Sequence, residues 1–550
     1  MSSLSPKELA AIKKCIDKVA KGRKVAAACI YGSKAAGYSR PDSDIDLFLV
    51  LEEYPYAIKY VYLRESGIDV SVLAVSRRSI EADARRGMLG EFAVGRLLHV
   101  YEPVINGEMI DSIERTYKRR VILEELENIV NSAGILGTEI MFPLEYIAFA
   151  KIKRRISLYP SAVYSYYKTY AGPEAKRNLN FALGGYRKAL QDIISEDSQL
   201  FSRNDDLLQI SEKRIAVHRD RIRLKLTKSL QEFSSYIVQT YAGRRVYHLA
   251  IKEAESKIRR HARQQVELPA IMEYPRREYW RLAEGKLVAE SKDWLADLMA
   301  FRGTKDFAVS RKRRLGNVNS RTVLYVVRTD SGDYKIVVKD LARTKSVKWA
   351  VLSLWTSPIK RFKVDPISRL GSEYRAIRYV RGLGLCTPAV EAVVLDRKLL
   401  VTRFVEGRTL ADVIRSCIKG NDELYLLGKV GSQVAMIHNA GASFGNIKPK
   451  NVIVSEGKIC FTDLEQFIFS SGDQIWDLAQ FLGWGLKAMR NSSAAAKITN
   501  AFLRGYLDEA KDGSNVGSLS RSRRYIESFY PVLVPSVARA IKKELRDIAR

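Results

Sequence analysis

The chain has 550 residues, with 92 Lys and Arg against 62 Asp and Glu, a formal net charge of +30 and 46% hydrophobic residues. That length exceeds one core and implies several domains, while the ordinary apolar fraction argues against disorder. No apolar run is long enough to suggest a membrane span, so no membrane partner is expected. Most of the excess charge lies beyond residue 290. It favours polyanionic partners, nucleic acid first, although a generally basic surface would give the same total. The five cysteines (Cys15, Cys29, Cys386, Cys417, Cys460) are scattered and form no C-x-x-C pair. They read as reduced core residues, and the N-terminus lacks signal-peptide character, so a cytoplasmic protein is expected.

Residues 1–110 alternate helix and strand. Met1 to Gly22 reads as an amphipathic helix, with Ser5 as cap, Pro6 in the first turn and Glu8 completing a capping box. Val25 to Ile30 reads as a strand entering a tight turn at Gly32-Ser33. Ten residues later, Asp44-Ile45-Asp46 opens a second apolar run that ends at Leu51. Strand residues two apart share a face, so both carboxylates point the same way. Paired hard oxygen ligands suit Mg²⁺, and a Gly-Ser turn lets backbone N–H groups approach a phosphate. The alternative is a solvated acidic loop, which Asp42 fits. Asp69 begins a third strand-like run, Ile68 to Leu73. Arg77 to Val100 reads as a helix, and Tyr101 to Ile105 as extended.

The Gly-Ser turn, the D-x-D pair and the later lone acid together resemble the DNA polymerase beta nucleotidyltransferase superfamily. The resemblance implies that Gly32 and Ser33 grip a nucleoside triphosphate. It also implies that Asp44, Asp46 and Asp69 are catalytic and hold paired Mg²⁺ ions.

From 111 to about 285 helical periodicity takes over, as in Ile113 to Ser132, Leu144 to Ile156 and Ile215 to Tyr241. Breaks at Ala171-Gly172-Pro173 and Ser202 to Asp206 separate these stretches. Lys151 to Ile156 and Tyr159 to Tyr170 interleave basic and aromatic residues. Tyr159, Tyr164, Tyr166, Tyr167 and Tyr170 could stack on nucleic acid, but tyrosines at helical spacing are more often core. A second basic stretch, Arg219 to Lys228, reads as a solvated helix face. By analogy with the resembled superfamily, this block would bind the acceptor.

Near residue 300 strands return: Thr322 to Arg328, a turn at Asp330 to Asp333, then Tyr334 to Lys339. Glu373 begins a helical run, Tyr374 to Arg381. Ser443 to Asn451 and Phe461-Thr462-Asp463-Leu464-Glu465 follow. Lysine, glutamate, asparagine and aspartate in this order resemble the protein-kinase-like fold, in a form closer to small-molecule and atypical archaeal-type kinases. The resemblance implies that Lys339 pairs with Glu373 and holds ATP phosphates, that Asn451 and Asp463 bind Mg²⁺, and that Asp477 braces the catalytic loop. Asn446 stands at the catalytic aspartate position, and an amide cannot accept a proton. Arg311 to Asn317 has a single glycine where a phosphate loop of this kind has three, so side-chain charge would replace backbone contacts there.

The expectation is a multidomain α/β and α protein. It has a polymerase-beta-like α/β domain at 1–110, an all-helical acceptor-binding domain at 111–290 and a protein-kinase-like α+β domain at 291–550. The expected activity is Mg²⁺-dependent transfer of a nucleoside monophosphate from ATP or another NTP to an acceptor hydroxyl, with RNA or tRNA as candidate partner. Two alternatives stand beside it: an active atypical Ser/Thr or small-molecule kinase, and an ATP-binding pseudokinase that regulates the transferase. Acceptor, choice of NTP and oligomeric state are open at this level.

Overall fold

A computed structural model describes residues 4–204, 206–212, 267–315, 321–330, 332–342 and 363–549. The expected helix Ile215 to Tyr241, the basic stretch Arg219 to Lys228, and Gly316 and Asn317 lie outside the described residues.

At the N-terminus, Ser5 caps α1 (Pro6–Ala20). Its hydroxyl accepts from the Glu8 N–H at 3.3 Å, and the Glu8 carboxylate accepts from the Ser5 N–H at 2.8 Å. This reciprocal pair satisfies donors that the first turn leaves without intrahelical partners. The inward residues Ile12, Cys15, Ile16 and Val19 join Leu47, Leu49, Val70 and Val72 in one core. Strands β1 (Val25–Tyr31), β2 (Ile45–Leu51), β3 (Ile58–Glu65), β4 (Ile68–Ser76) and β5 (Glu102–Ile105) form a sheet in the order β3-β4-β2-β1-β5. Only β2 and β4 run parallel, and β1 pairs antiparallel with β2 from Val25↔Leu51 to Tyr31↔Asp46. Helix α2 (Gly32–Ala36) leaves β1 directly, and α3 (Arg77–Arg86) leaves β4.

The helix expected through Val100 stops at Arg86. Gly87 takes φ +66°, and the buried Asp83 carboxylate accepts the N–H groups of Leu89, Glu91 and Val94 at 2.8, 3.1 and 3.1 Å. A left-handed glycine and a carboxylate that offers loop acceptors outcompete helical periodicity here.

Helices α4 (Gly107–Ala133), α5 (Leu144–Leu158), α6 (Val163–Ala171) and α7 (Ala175–Glu196) follow. Lys118 is fully buried on α4, where it pairs with Glu114 at 2.5 Å and donates to the Ala182 carbonyl at 2.7 Å. The expectation of an all-helical middle block is corrected. β6 (Met141–Pro143), β7 (Phe201–Asn204) and β8 (Leu207–Ile210) make an antiparallel sheet in the order β6-β8-β7. Strands of three or four residues are too short for alternation to register in a sequence. The chain divides into two compact units, Met1–Ser132 with Ile140–Arg281, and Ala133–Glu139 with Leu282–Arg550. Most helices of block 111–290 therefore share a unit with residues 1–110.

In the second unit β9 (Lys286–Val288), β10 (Phe307–Leu315), β11 (Thr322–Thr329), β12 (Gly332–Asp340), β13 (Val390–Val394) and β14 (Leu399–Arg403) form a sheet in the order β10-β11-β12-β14-β13-β9. Helix α8 (Pro366–Gly382) follows β12 in the described chain. A second, smaller sheet is made of β15 (Arg408–Thr409), β16 (Val452–Ser455) and β17 (Lys458–Phe461), and the same unit holds α9 (Leu424–Asn439), α10 (Gln474–Gly485) and α11 (Ser492–Glu509). Among the described residues no helix is long and apolar enough to cross a membrane.

The reading of all five cysteines as reduced is also corrected. Cys386 and Cys460, 74 residues apart, are joined as a disulfide across a parallel bridge with Cα atoms 4.4 Å apart. Cys15, Cys29 and Cys417 are free. Spacing in a sequence carries no trace of a pair that only the meeting of the α8 exit and β17 creates.

Helices α9 and α11 cross through Gly428, Gly431 and Gly505. A Cβ on Gly431 would overlap the Phe502 carbonyl, and one on Gly505 would overlap Gly428. Backbone cannot retreat as a flexible side-chain tip can. Gly431→Ala is therefore expected to lower the stability of the second unit by about 2 kcal/mol, whereas Gly457→Ala, with no atom in the way but φ +73°, should cost about 1 kcal/mol. Chemical denaturation of both variants checks the ranking.

Candidate functional site

Gly32 ends β1 and opens α2 at φ +73°. A Cβ at this position would collide with Oδ2 of Asp46, which β2 presents opposite Tyr31. Glycine is thus required twice, for its dihedral and for the room it leaves a carboxylate. Asp46 is half-buried beside that turn, Asp44 is half-buried just before β2, and Ile45 between them is buried. Asp44 lies just before β2, which begins at Ile45, and Asp46 is the second residue of that strand.

Helices α6 and α7 hold the far end of α2. Arg177 Nη2 donates to the Ala35 carbonyl at 3.1 Å, and the buried Asn178 Nδ2 donates to the Ala36 and Thr169 carbonyls, both at 3.0 Å. Tyr38 Oη lies 3.3 Å from Ser165 Oγ, and Lys34 pairs with Glu8 at 2.7 Å. Two residues after Ser33 the chain is thus pinned from neighbouring helices. Neither Arg177 nor Asn178 carries a sequence signal for this, because their targets are backbone carbonyls 142 residues away.

Among the described residues Asp44, Asp46 and Asp69 do not form a cluster tight enough to share one ion. The parallel register begins at Ile45↔Val70, so Asp69 lines up with Asp44 one step before the paired stretch. Its side chain is 58% exposed and sits 3.6 Å from Arg64 on β3. The three acids close enough to share one ion among the described residues are instead Glu373, Asp463 and Glu465.

The basic and aromatic stretch is mostly interior. Tyr166 and Tyr170 are buried, Tyr159 donates to the Gly90 carbonyl at 2.7 Å, Lys151 pairs with Glu91 at 2.7 Å, and Arg155 is buried against the carbonyls of Glu91 and Phe92. The lysine and arginine charges hold Glu91 at a pKa of about 2 although burial pushes it up. These side chains are committed to the core rather than presented to a strand of nucleic acid.

In the second unit Lys339 leaves β12 and meets three carboxylates. It lies 2.8 Å from Glu373 on α8, 3.3 Å from Glu465, and in hydrogen-bond contact with Asp463. Burial works against the lysine charge, yet Asp463, Glu373 and Glu465 hold its pKa well above the ordinary value. Burial likewise pushes Glu373 up, to about 7, with Lys339 opposing. Asn451 Nδ2 donates to Asp463 Oδ2 at 2.9 Å, and Asp463 itself takes φ +60°. Asp477, fully buried at the start of α10, accepts the N–H groups of Phe444 and Gly445 at 2.5 and 2.7 Å and faces His438 Nε2 at 3.3 Å. It thereby fixes the backbone just before Asn446, which is 5% exposed and accepts from Gln480 at 3.5 Å. Lys339, Glu373, Asn451 and Asp463 thus come together as their order suggests, and Glu465 is the member that sequence reasoning passed over. Arg311 to Leu315, read as part of a phosphate loop, belong to β10 and pair with β11 through Leu315↔Thr322.

Residues 13–78 match the family described as Polymerase beta, Nucleotidyltransferase. A probable bifunctional tRNA threonylcarbamoyladenosine biosynthesis protein of Thermoplasma volcanium is 36% identical over 95 residues, 17% of this chain and 17% of that protein. The KEOPS complex subunit Bud32 of Pyrococcus abyssi is 27% identical over 110 residues, 19% of this chain and 50% of that protein. A second bifunctional protein, from Methanothermobacter thermautotrophicus, is 25% identical over 164 residues, 29% of each chain. The chain spans half or less of each relative's length. At its N-terminal end it carries a polymerase beta nucleotidyltransferase domain, and elsewhere along its length it has partial similarity to Bud32-type proteins.

Proposed function

We propose that the first unit is a Mg²⁺-dependent nucleotidyltransferase. The reading rests on one observation, the Asp46 carboxylate seated against the left-handed Gly32 at the start of the Gly-Ser turn. In this reading the N–H groups and hydroxyl around Ser33 receive the triphosphate of an NTP. Asp44 and Asp46, both hard oxygen donors two residues apart where β2 begins, fit Mg²⁺ and would hold it. When bound, the metal neutralises phosphate charge and lowers the pKa of the attacking hydroxyl. The acceptor oxygen bonds to the α-phosphorus, the bond to the bridging oxygen breaks, pyrophosphate leaves, and the hydroxyl proton passes to solvent. RNA, with tRNA first, is the acceptor class that the +30 charge and the relatives' printed association with tRNA favour.

The second unit, in the same proposal, is a protein-kinase-like domain that binds Mg²⁺-ATP through Lys339, Glu373, Asn451 and Asp463. The placement of Asn446 where a general base would stand favours nucleotide binding with little phosphoryl transfer, and so a regulatory role.

With α-labelled ATP and tRNA, Asp44→Asn and Asp46→Asn are each expected to reduce label transfer by about a thousandfold. Asp69→Asn, at an exposed acid paired with Arg64, should retain most of the activity. Equal transfer by wild type and the Asp44→Asn/Asp46→Asn double variant would remove the nucleotidyltransferase reading. With γ-labelled ATP the wild type should show trace transfer at most, and Asn446→Asp should raise it by about 10²-fold or more. Lys339→Met should abolish ATP-dependent thermal stabilisation. Vigorous γ-label transfer by the wild type would favour an active kinase instead.

A further inference from the structure

Arg369, Ser372 and Glu373 are spaced three and four apart on α8 and so share one of its faces. That face meets the segment from Asp463 to Phe467. Glu373 pairs with Lys339, the partner of Asp463; Ser372 Oγ donates to the Phe467 carbonyl at 3.2 Å; and Arg369 Nη1 lies 3.8 Å from Glu465 Oε2. The Arg369 and Glu465 side chains are 1% and 5% exposed. Charges withdrawn that far from water persist only when they face one another. Arg369 Nη2 also donates to the Leu341 carbonyl at 2.7 Å, just beyond the end of β12, the strand that carries Lys339.

Glu465 stands between two cations, 3.3 Å from Lys339 and 3.8 Å from Arg369. The Glu373–Lys339 pair is one tether of α8, and Arg369–Glu465 is a second that does not pass through Lys339. A glycine in place of Glu465, as in an Asp-Phe-Gly ending, would offer no such partner.

We infer that Arg369 and Glu465 are positioning residues, a second buried ion pair that latches α8 against the Asp463 segment whether or not nucleotide is present. Its consequence for nucleotide affinity rests on the ATP-binding reading above, while the latch itself does not.

Hydrogen exchange on the full chain without nucleotide tests the latch. Glu465→Gln and Arg369→Met should each speed exchange of the 366–382 amides about tenfold, and the double variant should add little beyond either single change, as coupled residues do. Arg369→Lys, which keeps the charge, should recover part of the protection. Unchanged exchange in both single variants, or fully additive effects, would overturn the latch. If the Gln and Met variants do not fold, Glu465→Asp and Arg369→Lys give the same comparison with charge retained and reach altered. In a parallel titration with Mg²⁺-ATP, the latch variants should bind at least fivefold more weakly than wild type, and equal affinity would show that the pair does not position the site. Absence of binding by the wild type would remove the nucleotide reading and leave the exchange result to decide the latch.

Discussion

The close approach of the Asp46 carboxylate to the bare Cα of Gly32 is the contact on which the first unit's chemistry depends. It requires a left-handed residue without a side chain at the end of β1, and antiparallel pairing that brings Tyr31 opposite Asp46. It also requires that α2 stay where it is, and the carbonyls of Ala35 and Ala36 are held by Arg177 and Asn178 from α7. A short helix of five residues has little stability of its own. Its position comes from those side chains, so the helical block serves the turn as well as any acceptor.

The second unit solves a different electrostatic problem. Its lysine is buried among three carboxylates, an arrangement that water could not stabilise and that only mutual charge can. Burial first, and then the neighbouring Asp463 and Glu465 charges, raise the pKa of Glu373 to about 7 against the pull of Lys339. Beside it, Asp477 organises the backbone that leads into Asn446 through two short N–H contacts. The loop is built to the standard of a working site, although the side chain at its centre is an amide. That contrast is what the proposed separation of nucleotide binding from phosphoryl transfer rests on.

Apart from the helix expected through Val100, which ends locally at Gly87, the reading of the chain and its structure part over contacts between distant segments. Tyr166 and Tyr170 lie at a spacing that suits either stacking or packing, and burial alone decides for packing. Cys386 and Cys460 look as solitary as the other three until an isolated bridge brings their Cα atoms to 4.4 Å. Asp69 has the residue type and strand context of a third ligand, but its side chain is exposed and pairs with Arg64, opposite it on β3.

Local rules sufficed for the capped α1, the Gly-Ser turn at the end of β1, and the order of Lys339, Glu373, Asn451 and Asp463. Each of these depends on spacing within one element or on residue types with narrow conformational use, which a linear string records. The partners of α2, the neighbour of Asp46 on β4, the disulfide and the Arg369–Glu465 pair depend on which distant segments meet. Strand register and helix docking settle that through the packing of the whole unit, and no short stretch of residues encodes it.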